Sequence, residues 1–183
     1  MLSRLLASTE RPEVAVVDQT PTFLTMTLLA MGASAGIATY GGAIHAAAGP
    51  QALAGGALRA LFCAGGAWAL AIPALVVLGA LTGSPVSWRR AVFGSLLAVN
   101  FGGMAFLASI PVVLLLDVAS PWDWTHAFVN VLCVLGVGGS ATLIFLRTMA
   151  ALEGPRVLHH VWMLVFGTLF LELAWLVDLF RFH

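Results

Sequence analysis

Residues 61–81 read LFCAGGAWALAIPALVVLGAL, a run without one charged side chain. About 20 consecutive apolar residues are what an α-helix needs to cross roughly 30 Å of hydrocarbon. Backbone N–H and C=O groups in lipid must bond internally, and the α-helix does this within a single segment. This run therefore predicts a membrane-spanning helix near 62–82, ending at Gly83-Ser84-Pro85. The preceding stretch, Gln51 to Leu61, contains Arg59 and is too short to span, so it reads as an interfacial lead-in.

Working outward, four more apolar segments follow the same logic. The first runs near 22–44, opened by Pro21-Thr22 and closed by Gly49-Pro50. The third spans about 91–116 and carries Asn100, Gly102, Gly103 and Pro111. The fourth runs from about 125 to 146, ending at Arg147, and the fifth from about 161 to 180. Ser120-Pro121-Trp122-Asp123 carries a helix-start pattern, with Ser at N-cap, Pro at the first helical position and an acid two residues on. The expected fold is an all-α polytopic transmembrane bundle of five spans. Residues 1–20 form a cytoplasmic N-terminal segment and 21–183 the transmembrane domain. Short connections predict that neighbours in sequence are antiparallel neighbours in space.

Composition agrees. Hydrophobic residues make up 61% of the chain and charged residues 9%, against about 25% charged in a soluble domain. The eight basic residues are all Arg and balance eight acids. A net charge of zero without a basic cluster argues against a nucleic-acid partner. The segment 1–20 holds Arg4, Glu10, Arg11, Glu13 and Asp18, too acidic for a cleaved signal peptide, although Ala46-Ala47-Ala48 resembles a cleavage site. Cys63 and Cys133 lie in apolar runs with no second Cys nearby, and read as small buried hydrophobes.

Arginine placement sets an expected orientation. With the N-terminus in the cytoplasm, Arg4, Arg11, Arg89, Arg90, Arg147 and Arg156 fall inside, and only Arg59 and Arg181 outside. Such a positive-inside bias predicts N-in, C-out, in the inner membrane of a bacterial cell. Trp88 and Trp162 then fall at the cytoplasmic interface, and Trp122, Trp124 and Trp175 near the outer one, as an aromatic belt. Trp68 sits deeper and is expected between helices.

Small residues mark where helices approach closely. Gly32 and Gly36 form a GxxxG extended by Gly41-Gly42; Gly65-Gly66, Gly102-Gly103 and Gly136 with Ser140 mark the next three helices. These faces serve either packing within the chain or an oligomer contact. Glu172 lies inside an apolar span. A charge at mid-bilayer costs at least ~2.5–3.5 kcal/mol, so the carboxyl is expected to face the bundle and to pair with Arg59. Asp178 and Arg181, near the end of that helix, read as interfacial. Asn100 and Asn130 are candidates for interhelical hydrogen bonds.

His45 closes the first helix and His126 opens the fourth, with Asp117 and Asp123 nearby. Imidazoles and carboxylates can bind a transition metal, and two imidazoles can ligate a haem, but the spacing supports neither, so no metal or cofactor is expected. His159-His160 cannot share a helix face and suits an interfacial position. No GxSxG, HExxH, P-loop, GxGxxG or CxxCH is present, so an enzyme on a familiar motif is not expected.

Tyr40-Gly41-Gly42, Pro73 in the second helix, Leu81-Thr82-Gly83 after it and the Trp175-containing last helix give the chain a layout that resembles Yip1-like and related bacterial five-helix multi-pass proteins. The eukaryotic signature motifs of that family are absent. The resemblance implies a membrane-organising or partner-binding role and carries no catalytic residue. The expected function is a small integral-membrane accessory or scaffold protein that packs in the bilayer with other membrane proteins or with itself. A transporter or channel-like element using Glu172 and Arg59 is the alternative. A redox subunit with haem or metal at His45 and His126 is a weaker one.

Overall fold

The computed structural model describes residues 22–83, 87–119, 122–152, 156–177 and 179. The N-terminal segment 1–20, Ser120-Pro121 and Arg181 lie outside these, as do the side chains of Asp117, Asp123 and Asp178. The described chain is helical: α1 (Phe23–Ala43), a 3₁₀ turn (Ala46–Ala48), α2 (Pro50–Leu81), α3 (Trp88–Ala119), α4 (Asp123–Ala151) and α5 (Arg156–Leu176). All five α-helices are long and apolar enough to cross a membrane. The architecture is that of a multi-pass helical membrane protein.

Local chemistry sets the helix ends. Thr22 caps α1, its hydroxyl accepting from the Thr25 N–H at 3.2 Å. Gly49, at φ 101°, makes the corner between the 3₁₀ turn and α2, a backbone region that glycine enters without a Cβ clash. Pro50 follows at the first helical position, where no N–H is needed. The supposed lead-in 51–61 is thus the first third of α2. At 1.5 Å per residue, a helix of this length runs to about 48 Å and overshoots the hydrocarbon layer. The start of α4 also differs from the sequence pattern: Trp122 occupies the N-cap without a side-chain capping hydrogen bond to the helix, and the helix begins at Asp123.

The helices pack in the cyclic order α1, α2, α5, α4, α3. Adjacency in sequence fails at one place. α2 and α3, although joined by a short connection, barely touch, because α1 lies between them and packs on both. Its buried stripe is Leu29, Ala33, Gly36, Ile37, Tyr40 and Gly41, the three- and four-residue spacing of one helical face. Within this stripe Gly36 lies against the backbone of Gly103. A methyl on Gly103 would stand 2.9 Å from Ala33 Cα, so the α1 and α3 backbones are in contact. Gly41 meets Gly56 of α2 equally closely. Gly32 is filled by the Asn100 carboxamide and Gly66 by Leu173, whereas Gly102 meets Val137 and Ala141 at ordinary distance. Gly65 and Gly136 have nothing within 4 Å.

One apolar core draws on every helix, with Leu29, Leu75, Phe93, Phe145 and Trp162. Trp162 is fully inside rather than interfacial. Its ring stacks on Phe145 at 4.4 Å, and its N–H donates to the Ala71 carbonyl at 2.6 Å. The indole thus finds both an apolar bed and a polar partner within the bundle. Trp68 lies between helices as expected, donating to Ser95 Oγ at 3.2 Å. Trp88, Trp122, Trp124 and Trp175 are exposed. Cys63 is buried in a second cluster with Ile37, Ala60 and Ala174.

The two kinds of glycine should behave differently. Gly36→Leu inserts a side chain into a backbone contact, and overpacking of this kind costs about 1–3 kcal/mol or more. Gly65→Leu points into open space. Thermal unfolding of the purified protein should show a clear loss of stability for Gly36→Leu and little change for Gly65→Leu. Equal effects would contradict the packing described.

Candidate functional site

The polar groups fall into an internal set and an external set. Internally, α1 and α4 are tied where Tyr40 Oη donates to Asn130 Oδ1 at 2.8 Å. Asn130 Nδ2 donates in turn to the His126 carbonyl one turn earlier, at 2.9 Å. Both side chains are buried, and Phe106 lies against the phenol with ring centres 4.5 Å apart. A carboxamide in this apolar setting would be costly without partners. With them it becomes interhelical glue, the role expected for Asn130. Tyr40 was not singled out as its partner, although it is the only tyrosine of the chain. Asn100, half-buried, lies against Gly32 with its Nδ2 3.9 Å from Met104 Sδ.

His45 ends α1 with Nδ1 at 3.0 Å from the Gly41 carbonyl, its ring against Gly56. His126 opens α4 below Asn130. Among the described residues no group of three His, Cys, Asp or Glu side chains could hold a metal ion. His159 and His160 part ways on α5. His160 is exposed, whereas His159 is buried rather than interfacial, its ring edge-on to Phe145 at 6.2 Å.

The external set contains the two charges expected to pair. Arg59 on α2 and Glu172 on α5 are both exposed, and among the described residues no ion pair joins them. Helix register explains this. Leu173 rests on Gly66 of α2, and Arg59 is a further two turns toward the start of α2, about 10 Å along its axis. Within one chain Glu172 does not turn into the bundle. Gly66 lies near the midpoint of α2, so Glu172 stands level with the middle of the longest helices. Around it on the outer face of α5 are Leu164, Leu171, Trp175 and Leu176, all exposed and apolar. No other charged residue occurs between His160 and Leu176. Glycines 136, 138 and 139 of α4 also face open space.

No known protein family, curated protein or solved structure matches this chain.

Two outcomes test these placements. Tyr40→Phe leaves a buried Asn130 oxygen without a donor and should cost about 1–2 kcal/mol, measured by denaturant unfolding in mixed micelles. Arg59→Gln and Glu172→Gln should have additive effects on stability, because residues without a shared partner couple weakly. A coupling energy above about 1 kcal/mol would show that the charges meet after all.

Proposed function

We propose that this protein is an accessory or scaffold component of a membrane assembly, held through the outer face of α5 to another membrane protein or to a second copy of itself. The observation that carries this reading is the exposure of Glu172. A carboxyl on the apolar face of α5, one turn before that helix ends and level with Gly66 of α2, is expensive against lipid, and such groups normally face protein or a water-filled path. A partner helix that supplies a hydrogen-bond donor there, and that packs over Leu171 and Trp175, removes that cost. The open glycines of α4 support the same reading, since they let a second backbone approach closely. The scaffold reading is favoured over a transporter or channel-like element using Glu172 and Arg59, because Arg59 lies about 10 Å along α2 from the level of Glu172. The Arg distribution supports an N-in, C-out orientation in a bacterial inner membrane.

The test is the size of the particle extracted from native membranes in a mild detergent. The native chain should run larger than one copy. Glu172→Leu should release the single chain while leaving its unfolding temperature nearly unchanged, because its exposed carboxyl has no hydrogen bond or ion pair among the described residues. A native chain that is already single, or a Glu172→Leu particle of unchanged size, would defeat the proposal. Orientation is checked separately with reporter fusions, which should place residue 86 inside and residue 119 outside. The opposite pattern would reverse the topology.

A further inference from the structure

At the end of the bundle that carries the α2–α3 and α4–α5 connections, the helices leave a cavity of about 280 Å³. Its walls include Leu75, Val76, Trp88, Met149, Leu158 and His159. All but one of these side chains are apolar or aromatic. The exception is His159, only 3% exposed. Its ring edge meets Phe145, but among the described residues the imidazole has no hydrogen-bond partner. Buried polar groups are nearly always partnered, so one that lacks a partner and forms a cavity wall calls for an occupant. Trp88 in the cavity wall has an exposed indole, of the kind that sits at a lipid–water boundary. Arg89 stacks its guanidinium 5.6 Å from that ring centre.

We propose that this cavity is a binding site for a neutral, bilayer-soluble carbonyl compound of about the size of a quinone headgroup, with His159 donating to the carbonyl oxygen. Three observations select this class. The volume lies at the small end of ligand pockets, about 300–1,000 Å³, and corresponds to roughly nine water volumes at about 30 Å³ each. That fits one substituted ring and not a folded acyl chain. Among the described lining residues, His159 and the indole N–H of Trp88 supply the polar side-chain atoms. A lone imidazole can satisfy one carbonyl, but it cannot replace the hydration of a full carboxylate, whose burial is far more expensive than that of a neutral acceptor. The exposed Trp88 in the wall is of the kind that marks the lipid–water boundary, within reach of compounds that concentrate in the bilayer. Trp88 and Met149 supply the flat and polarizable surfaces on which a ring packs. This site is independent of the outer face of α5, and binding needs no protein partner.

The experiment uses the full chain in lipid nanodiscs, titrated with decylubiquinone while tryptophan fluorescence is followed. Trp88 reports directly on the cavity, because a bound quinone ring quenches a neighbouring indole. The native protein should show saturable quenching at one quinone per chain. His159→Leu should weaken it about tenfold, the scale of one lost hydrogen bond. Ala80→Phe fills the cavity from an exposed position outside the core and should abolish the saturable phase. An equal concentration of palmitate should not displace the quinone. Quenching that rises linearly without saturation would overturn the site. So would an Ala80→Phe variant that titrates like the native chain. Displacement by palmitate would overturn the choice of a neutral ligand in favour of an acidic amphiphile.

Discussion

The contact on which the rest depends is the meeting of two backbones, α1 at Ala33 and Gly36 with α3 at Gly103. Lipid tails are as apolar as leucine, so helices in a bilayer gain little from simply burying apolar surface against each other. Close van der Waals contact takes over that role, and it is strongest where no side chain holds the backbones apart. Glycine at both partners lets α1 sink against α3, and Gly41 against Gly56 does the same on the α2 side. α1 thereby becomes the wedge between α2 and α3. From there α5 closes on α2, α4 closes on α3, and the Tyr40–Asn130 bond ties α1 across to α4. The aromatic stack of Phe145, Trp162 and Phe166 fills the space that remains at the other end.

A bundle assembled this way turns its polar groups inward where it can. Asn130, Ser95 and the Trp162 N–H are all satisfied between helices. The Thr148 hydroxyl is buried without a partner, and two further groups are not accommodated in the same manner. Glu172 is left on the apolar exterior, and His159 is left facing a cavity without a partner. Glu172 forms no ion pair among the described residues, and His159 packs edge-on against Phe145 without a hydrogen bond. Both are the kind of residue that a purely structural bundle would replace with leucine. Under the two proposals above, Glu172 would address a neighbouring helix and His159 a small molecule, and their separation in the fold would let the two roles coexist.

Much of this was legible in the sequence. The five helices follow from run length and from the physics of backbone bonding in lipid. The spacing of Gly32 and Gly36 announced close approach, but not that α3 supplies the other backbone, because one helical face can meet any neighbour. Asn130 was legible as glue, whereas its partner Tyr40, distant in sequence, was not. The stretch 51–61 looked like an interfacial approach because Arg59 interrupts it. It is helical because a long exposed side chain can reach out of the apolar layer without breaking the backbone pattern. Trp162 looked interfacial from its position near a turn, but a buried carbonyl at Ala71 offered its N–H a partner. Pairing of Glu172 with Arg59 was inferred from charge and from the placement of both toward the outer half of the membrane. Register along α2 and α5, which composition does not encode, keeps them apart.

The contact between α1 and α3 can be tested most directly by a double-mutant cycle on Gly36→Ala and Gly103→Ala, read by reversible unfolding of the full chain in mixed micelles. Each methyl alone forces the same pair of backbones apart, so each should destabilise by about 1–3 kcal/mol. Once one has opened the gap, the second should add little, leaving the double variant milder than the sum by at least about 0.5 kcal/mol. Strictly additive losses, or single variants as stable as the native protein, would contradict a fold built on that contact.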